Sequence, residues 1–596
     1  MRTRIVLAAV CAVAMLAIVR VTSAATDVFW GQWGRTAQHD GFAPTAGQQG
    51  STILANIVYD PFIDKEIGTD GDGALLVHYQ TPLISGSDVF MAFKAGQFST
   101  VQDWQVQTWG ERKYSWESDR LALQWEFASD WKPVPFSSRK DGPSWEPVFH
   151  GALTDAALYV PGSGGTVWKI DRTTGRVLAH INPFATVDAN TYAVGPLSAD
   201  AAGNIYYNVV QLDVRAGDPW LLDTPASWLV KVAANDTPKA VAWATLVPGT
   251  PAASAQCLWQ YAADTLPWPV LNADRTPARP PSVACGSQRP PINTAPAIGA
   301  DGTIYDVSRA AFDDYYGYLI AIDKDLAPKW VSSMRNRFHD GCGTPFLPST
   351  GTPGGCRAGA PIGVSPPDGM PGSGRVLDDS TSAPLVAPDG SIYYGAYTRY
   401  NYGQGHLMRW SAAGEYLGGA GTAGGFEFGW DTTPSIFQYT AADGTAAFSV
   451  ITKENHYAAG SYCSNAQLCP PDRSTNHPRY PEEYFVTALA PDMTVNWRWQ
   501  NTNTSSCQRT PDGDLTCTID HPRGFEWCVN APAVDSSGTV FVNSEDGNLY
   551  AINRNGLLLN RVFTQLALGA AYTPLSIGPD GRIYTQNAGR MFVIGF

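Results

Sequence analysis

The stretch that decides the fold is Ala295-Pro296-Ala297-Ile298-Gly299-Ala300-Asp301-Gly302-Thr303-Ile304-Tyr305. Its Asp-Gly pair suits a tight turn with positive φ, and the apolar, β-branched runs beside the turn have the length of short strands. A proline is tolerated at the first residue of a strand, where no backbone donor is needed. The stretch therefore predicts a β-hairpin that forms the first two strands, A and B, of an antiparallel sheet.

The same pattern recurs along the whole chain. Each copy has a small residue and a proline, a few apolar residues, a tight turn, and then a β-branched residue followed by an aromatic one. The other copies begin at Ala383-Pro384, Ala531-Pro532, Thr573-Pro574, Thr81-Pro82, Gly195-Pro196 and Thr433-Pro434, and at Gly151-Ala152, which lacks the proline. The sequence thus contains eight copies of one unit.

Each copy is followed by another apolar segment, strand C, such as Tyr318 to Asp323, and often by a fourth, strand D. Repeated four-stranded units that cannot bury their faces alone predict an all-β, eight-bladed β-propeller of antiparallel blades. A β-helix would have shorter and more uniform coils, and two sandwiches would need no repeat. The final copy ends at Phe596 after three strands, so we predict that an N-terminal strand, Asp27-Val28-Phe29-Trp30, closes the ring.

Two of these motifs and an N-terminal segment resemble a known family. Asp301-Gly302-Thr303-Ile304-Tyr305, Asn548-Leu549-Tyr550-Ala551-Ile552-Asn553 and Trp33-Gly34-Arg35-Thr36-Ala37-Gln38-His39-Asp40-Gly41 are similar to sequences of the quinoprotein-type (PQQ-like repeat) propeller superfamily. The resemblance extends over nearly the whole chain at the level of strands and implies the propeller fold. The superfamily includes quinone-dependent alcohol dehydrogenases as well as non-catalytic outer-membrane assembly scaffolds, so it implies no single function.

The dehydrogenases of that superfamily imply bound PQQ, calcium-binding carboxylates and a pair of adjacent cysteines over the quinone. This chain has no Cys-Cys pair. We therefore expect a member that is not a dehydrogenase, without a cofactor or a metal. The alternative is PQQ-dependent oxidation of an alcohol or sugar, in which Asp313-Asp314 or Trp430-Asp431 would supply the acid or base.

The N-terminal 24 residues have the composition of a cleaved secretory signal peptide, with Arg2 and Arg4 before an apolar run and small residues at its end. The formal net charge is −14 and no run of lysine or arginine stands out, which argues against nucleic acid and anionic membranes as partners. No later segment is apolar enough to span a bilayer. We predict a soluble, monomeric protein of the periplasm or extracellular space, with residues 25–596 forming one propeller domain.

Ten cysteines are present, of which Cys11 lies in the signal segment. Export permits disulfides, and short-range pairing predicts Cys257 with Cys285, Cys342 with Cys356, Cys463 with Cys469, and Cys507 with Cys517. Cys528 is then left over, either as a buried free thiol or in place of one member of the last pair. No Cys-x-x-Cys spacing indicates a metal site. The acidic run Asp60, Asp64, Glu66, Asp70 and Asp72 lacks the spacing of an EF-hand, so we expect a solvated loop there.

The insertions between strands are not scattered. The A–B and C–D turns are tight, as at Asp301-Gly302 and Thr174-Gly175. The long segments are B–C connections (94–120, 207–227, 306–317, 394–405 and 453–483) or D–A connections (249–292, 334–377 and 500–525). In an antiparallel blade both kinds lie at the same end, so the insertions and their disulfides project from one face. Long ordered loops on a rigid scaffold commonly carry binding sites, so we predict that this face binds the ligand.

The predicted binding face is rich in aromatic and acidic residues, a combination that suits sugars, quinones or peptides. The candidate ligand-binding residues are Trp109, Asp313, Asp314, Tyr315, Arg399, Trp430, Asp431, His456 and Trp527. For any single one of them, packing of loop against loop is the alternative. No catalytic set is legible, so we predict binding of a protein, glycan or small molecule. A second alternative is a carbohydrate-binding or carbohydrate-cleaving protein, and cleavage would need two carboxylates at a defined separation.

Overall fold

The computed structural model describes residues 28–69, 77–139, 142–215, 217–259, 268–339, 341–342, 356–365, 369–398, 405–419, 424–456, 482–528, 530–570 and 572–596. Nearly all regular structure in these ranges is β-strand. The helical elements are α1 (Ile63–Thr69), α2 (Trp243–Leu246) and the 3₁₀ turns Val101–Gln105 and Pro219–Leu221. None of the helices in these ranges has the length and hydropathy needed to cross a membrane. The predicted signal segment, residues 1–24, lies outside the described residues.

The strands form eight antiparallel sheets that follow one another along the chain. The N-terminal part contributes β1 (Val28–Trp30) and β2 (Thr52–Val58). Sheet 1 adds β3 (Leu83–Ser85), β4 (Asp88–Ala95), β5 (Thr108–Glu117) and β6 (Arg120–Ser129). Sheet 2 has β7 (Ala152–Leu153), β8 (Leu158–Pro161), β9 (Val167–Ile170) and β10 (Val177–Ile181). Sheet 3 has β11 (Thr191–Ala199), β12 (Ile205–Gln211), β13 (Ala226–Val232) and β14 (Pro238–Ala242), and is followed by a hairpin of β15 (Gln256–Leu258) and β16 (Ser282–Ala284).

Sheet 4 has β17 (Gln288–Arg289), β18 (Ala297–Ile298), β19 (Ile304–Ala310), β20 (Asp313–Ile322) and β21 (Pro328–Ser333), and is followed by a hairpin of β22 (Val364–Ser365) and β23 (Met370–Pro371). Sheet 5 has β24 (Leu385–Val386), β25 (Ile392–Tyr397), β26 (Gly405–Trp410) and β27 (Phe426–Glu427). Sheet 6 has β28 (Ser435–Thr440), β29 (Ala446–His456), β30 (Glu483–Leu489) and β31 (Val495–Gln500), followed by β32 (Ser505–Arg509) and β33 (Leu515–Ile519). Sheet 7 has β34 (Ala533–Val534), β35 (Val540–Asn543), β36 (Asn548–Ile552) and β37 (Leu558–Phe563), and sheet 8 has β38 (Ser576–Ile577), β39 (Ile583–Asn587), β40 (Arg590–Gly595) and β2.

Each of the eight predicted copies supplies the A and B strands of a different sheet, which confirms the eight-bladed propeller. In sheet 4, Ala297 faces Tyr305 and Ile298 faces Ile304 across the Asp-Gly turn, and sheets 5, 7 and 8 repeat this register. Gly302 has a φ of 80°, which glycine adopts without the steric cost of a side chain. The A and B strands are mostly buried because neighbouring sheets cover both of their faces, although β28 of sheet 6 is exposed at its end.

The strand that completes the last sheet is not the one predicted. Val28–Trp30 pairs with β3 of sheet 1, whereas the outer strand of sheet 8 is β2, which runs antiparallel to β40 from Thr52 opposite Gly595 to Val58 opposite Arg590. The seven residues of β2 match the length of β40, and three residues at 28–30 could not cover that edge. The assignment of Val28–Trp30 to the last blade was therefore wrong.

Residues 31–50, between β1 and β2, form an irregular segment that passes the inner strands of sheets 2 to 8; we call it the axial segment. Backbone amides of those inner strands donate to its carbonyls in chain order: Leu153 to Gly31, Ile298 to Ala37, Val386 to Gln38, Ile436 to Asp40 and Val534 to Gly41. The Gln32 amide bonds to Ala199 of sheet 3 through both of its polar atoms. One segment therefore links most of the ring from inside.

Trp33 of the axial segment fills the centre of the ring. Its side chain is 1% exposed and is surrounded by Ala295, Ala383 and Ala531, which come from three different sheets. Its Nε1–H donates to the Thr433 hydroxyl of a fourth sheet at 3.0 Å. The small residue before each repeat proline thus leaves the space that the indole ring occupies.

The B–C and D–A connections lie at one end of the sheets, which we call the looped face. Two of its insertions are shorter than predicted because β5 and β20 begin earlier in the sequence. The connection predicted at 94–120 contracts to 96–107, and the one predicted at 306–317 contracts to 311–312. Their aromatic and acidic residues, taken for loop residues, lie on β5 and β20, where most of them are buried or partly buried.

Three predicted disulfides are confirmed: Cys257–Cys285, Cys342–Cys356 and Cys507–Cys517. Each lies in a D–A connection of the looped face, where a cross-link stabilises a segment with little core of its own. Cys463 and Cys469 lie outside the described residues. Cys528 is a buried free thiol, one of the two alternatives left open for it.

The acidic run at 60–72 is not a solvated loop where it is described. Asp60, Glu66 and Glu146 all contact the buried Lys94 ammonium, at 2.8, 2.9 and 2.6 Å. These ion pairs join α1 and the turn before it to β4 and to the connection after sheet 1. A lysine that is 52 residues away from its last partner in the chain gives no local signal, which is why composition suggested solvation instead.

Candidate ligand site at the propeller axis

The candidate residues predicted from the sequence belong to several sheets and do not form one site. Trp109 lies on β5, where its ring meets Trp131 edge-on at 5.2 Å between centroids and its Nε1–H donates to the Trp104 carbonyl at 3.0 Å. Trp527 is fully buried and contacts aromatic rings of sheets 6 and 7. These contacts give both tryptophans a packing role. Arg399 lies outside the described residues.

Asp313, Asp314 and Tyr315 begin strand β20 and are buried. Asp314 accepts two hydrogen bonds from the Arg375 guanidinium, at 3.1 and 2.5 Å, and the same guanidinium lies 4.9 Å from the Tyr315 ring centroid. Burial and the charge of Asp314 raise the pKa of Asp313 to about 8. The three residues thus connect β20 to the segment that leads into sheet 5.

His456 borders a cavity of about 320 Å³ between sheets 5 and 6. Its Nε2–H donates to Glu454 at 2.7 Å, and Glu454 also accepts from Arg498 Nε at 2.6 Å and the Thr487 hydroxyl at 2.7 Å. Burial opposes ionisation, but these hydrogen bonds hold the pKa of Glu454 below its usual value. The carboxylate is therefore saturated by donors from its own sheet, and this cavity is separate from the axis.

Trp430 and Asp431 are the two predicted residues that reach the axis on the looped face. Asp431 is fully buried, and it accepts hydrogen bonds from Ser380 Oγ at 2.8 Å and from the Tyr397 hydroxyl at 2.7 Å. The Tyr572 side chain also hydrogen-bonds to Asp431. Burial and the Asp431 charge raise the pKa of both tyrosine hydroxyls well above 10, so they remain neutral donors.

An aromatic group lies next to Asp431. His78 stacks on Trp145 at 5.6 Å between ring centroids, and Tyr572 contacts His78 at 5.1 Å and Trp145 at 4.9 Å. The His78 Nδ1–H donates to the Glu146 carbonyl at 2.6 Å, and burial lowers the pKa of the ring, which is therefore neutral. Its Nε2 is buried and has no hydrogen-bond partner among the described residues.

Two carboxyl groups and a thiol lie together on the other side of Tyr572. One oxygen each of Glu526 and Glu545 and the Cys528 sulfur are all within 4.8 Å of one another. The Lys453 ammonium, 4.9 Å from the Trp430 ring centroid and 5.7 Å from that of Tyr572, attracts both carboxylates. Burial first, and then like-charge repulsion, raises the pKa of Glu545 and of Cys528, and burial raises the pKa of Glu526.

These groups form what we call the axial cluster: His78, Trp145, Asp431, Lys453, Glu526, Cys528, Glu545 and Tyr572. It holds three carboxyl groups and a thiol against one ammonium. Asp379, whose carboxylate accepts from the backbone N–H groups of Ser144 and Trp145 at 2.8 and 3.0 Å, adds a further acidic group beside it. Burial raises the pKa of Asp379 to about 7. The cluster therefore has more acidic than basic groups, and its ionised form would attract cations.

The cluster follows a rule that could have been found in the sequence. His78, Asp431, Cys528 and Tyr572 lie two to four residues before the prolines of four repeat copies. Because those prolines begin the innermost strands, the residues just before them reach the axis. Asp431 was predicted as a ligand-binding residue and Cys528 as the cysteine left without a disulfide partner. His78 and Tyr572 were not predicted. Lys453 and Glu545 adjoin B–C connections and carry no such signal.

No protein-family model and no curated protein matches the chain. Among solved structures, the propeller resembles the quinohemoprotein alcohol dehydrogenase from Comamonas testosteroni, with 12% identity, a TM-score of 0.48, and coverage of 97% of this chain and 82% of that one. It also resembles BamB from Moraxella catarrhalis, with 14% identity, a TM-score of 0.37, and coverage of 91% and 99%. These similarities concern the fold alone.

The axial cluster does not fit PQQ, a planar quinone that carries negative charge. Trp145 stacks on His78 and contacts Tyr572 edge-on, so these side chains cover part of its ring. Lys453 is the one ammonium of the cluster, and its carboxyl groups repel an anion. The sequence also lacks adjacent cysteines. These residues therefore offer an anionic quinone a single ammonium among three carboxyl groups.

Proposed function

We propose that the protein is an exported propeller that binds a positively charged ligand at the axial cluster of its looped face. The observation that carries the proposal is the imbalance of ionisable groups, with the carboxyl groups of Asp431, Glu526 and Glu545 against the single ammonium of Lys453. Carboxyl groups held close together repel one another when ionised, and a bound cation removes that repulsion. The cluster is therefore expected to bind cationic ligands more strongly than neutral or anionic ones.

The Asp431 carboxylate of the axial cluster is also held in a fixed orientation, as a binding site requires. Hydrogen bonds from Ser380 and Tyr397 hold the Asp431 carboxylate in one orientation before any ligand arrives. Glu526 and Glu545 are partly exposed, whereas Asp431 and Lys453 are buried beneath them. A ligand would therefore enter from the looped face and meet the two glutamates first.

Export is part of the proposal. The three disulfides are typical of proteins that fold in an oxidising compartment. The N-terminal segment has the composition of a secretory signal, and the acidic net charge of −14 suits a soluble protein. Together they support a location in the periplasm or outside the cell.

The first prediction concerns charge selectivity. Calcium, zinc or putrescine, tested separately by differential scanning fluorimetry at constant ionic strength, should raise the melting temperature, because each binds the folded state alone. At least one of these cations is expected to do so, whereas citrate and PQQ are expected to have no effect. A rise with the anions and none with the cations would overturn the proposal.

Variants locate the effect. Asp431→Asn and Glu545→Gln each remove one negative charge from the axial cluster and are expected to weaken the stabilisation by the active cation. Glu117→Gln is the matched control, because Glu117 is an exposed residue at the end of β5 in sheet 1, paired with Arg120. Equal responses in all three variants and the wild type would place the binding elsewhere and contradict the proposal.

A second prediction addresses the dehydrogenase alternative. Protein incubated with PQQ and calcium is expected to show no bound quinone in its absorbance spectrum and no oxidation of alcohols or sugars in a dye-linked assay. The reason is the misfit of an anionic quinone to an acidic, aromatically filled site. Measured turnover that disappears in Asp431→Asn would establish the dehydrogenase instead.

A further inference from the structure

We infer that Glu526, Cys528 and Glu545 form a binding site for a divalent metal ion of borderline softness, such as zinc. This inference rests on the proposed function, since it names the cation that the axial cluster takes. The three ligand atoms lie within 4.8 Å of one another. Ligand atoms around tetrahedral zinc are about 3.5 Å apart, as follows from bond lengths of about 2.0 to 2.3 Å. A small contraction of three side chains would therefore complete one face of a tetrahedron.

The types of the three ligands select the metal. A thiolate favours zinc and copper(I) over calcium and magnesium, which prefer sites made only of oxygen. The two carboxylates favour a divalent ion over copper(I), for which softer ligands are usual. Three protein ligands also leave a fourth position for water or a bound molecule, the arrangement of a zinc site that is open to solvent.

A second observation concerns buried polar atoms of residues that adjoin these ligands in the chain or through contacts. Asn530, two residues after Cys528, is fully buried, and neither its amide oxygen nor its amide nitrogen has a partner among the described residues. The Nε2 of His78 is likewise buried without a hydrogen bond among the described residues, and the His78 ring contacts Tyr572, whose N–H donates to the Cys528 carbonyl at 3.0 Å. Buried polar atoms seldom go without partners. An ion with its bound water would supply them.

The free thiol fits the same reading. Among the described cysteines Cys528 alone is outside a disulfide. It comes from the connection before sheet 7 and Glu545 from the B–C turn within sheet 7, so the fold brings the ligands together from two separate segments. The spacing of these ligands in the sequence therefore gives no signal of a metal site, and no metal was predicted from it.

The test uses the purified protein, stripped with a chelator and then dialysed against zinc. One zinc per chain is expected by elemental analysis, and cobalt in place of zinc should give the thiolate-to-metal charge-transfer band in the near ultraviolet. Cys528→Ser is expected to abolish that band and to weaken zinc binding more than about tenfold, since even residues behind the ligands contribute that much. Glu545→Gln should weaken zinc equally, and Glu117→Gln should not.

The outcomes separate this inference from the proposed function. Absence of zinc uptake, or uptake unchanged in Cys528→Ser with the wild-type circular dichroism spectrum, would overturn the metal site. If calcium or putrescine still stabilises the protein and Asp431→Asn removes that effect, the proposed function stands without it. If no cation binds at all, both fail.

Discussion

Replacing Trp33 by alanine is expected to lower the free energy of unfolding by about 3 to 5 kcal/mol, the range for deleting a large buried aromatic side chain. The indole ring fills the centre of the propeller and contacts three alanines, each of which lies two residues before the first strand of its sheet. Those backbones cannot move inward to close the cavity. The variant also leaves the Thr433 hydroxyl without the Nε1–H that donates to it in the wild type.

The measurement is urea unfolding followed by circular dichroism and fluorescence. Trp330→Ala is the matched control, because Trp330 lies on the outer strand β21 of sheet 4 and is only partly buried. We expect it to cost less than half as much as Trp33→Ala. If the two variants were equally stable, the axial segment would not hold the ring together in the way its hydrogen bonds suggest.

Replacing Glu111 by glutamine is expected to stabilise the protein at pH 9 and to leave it nearly unchanged at pH 5. Glu111 is fully buried on β5; its Oε1 accepts from Gln80 Nε2 at 2.7 Å, and its Oε2 has no partner among the described residues. Burial raises the pKa of Glu111 to about 8. Glutamine keeps the acceptor for Gln80 and cannot ionise.

The direction of this pH dependence follows from the difference between the pKa values of Glu111 in the folded and unfolded states. A carboxyl whose folded pKa lies above its unfolded value binds more protons in the folded state, so its contribution to stability is present at acid pH and is lost as pH rises through about 8. Between the unfolded pKa and that value the wild type should lose on the order of 5 kcal/mol from this group, at about 1.4 kcal/mol per pKa unit. Urea unfolding of both proteins at pH 5 and pH 9 measures the difference.

The control again is Glu117→Gln, which alters an exposed carboxylate and should show no such dependence. Other buried acids with raised pKa values, such as Asp306 and Asp379, destabilise the wild type and the variant alike at high pH. Only the difference between the two proteins therefore reports on Glu111. A difference that is equal at pH 5 and pH 9 would show that its carboxyl does not ionise in this range.

Much of the architecture was accessible from local sequence. The Asp-Gly turns, the prolines before them and the apolar runs on each side predicted eight sheets in the correct order, since hairpins depend on neighbouring residues. The three disulfides that the structure describes were predicted for the same reason, because each joins cysteines within one connection. The boundaries of β5 and β20 were predicted wrongly, because the composition of a strand buried on both faces resembles that of a loop rich in aromatic residues.

The sequence by itself determined the repeated hairpin, its eightfold recurrence and the short-range cross-links, all of which depend on residues close together in the chain. Only the tertiary structure decided which strand completes sheet 8, that Trp33 lies on the axis, and that Glu526 and Cys528 meet Glu545 beside Lys453. The physical reason is closure of the ring: the innermost strands of all eight sheets converge on one axis, and the residues that meet there are separated along the chain by entire blades.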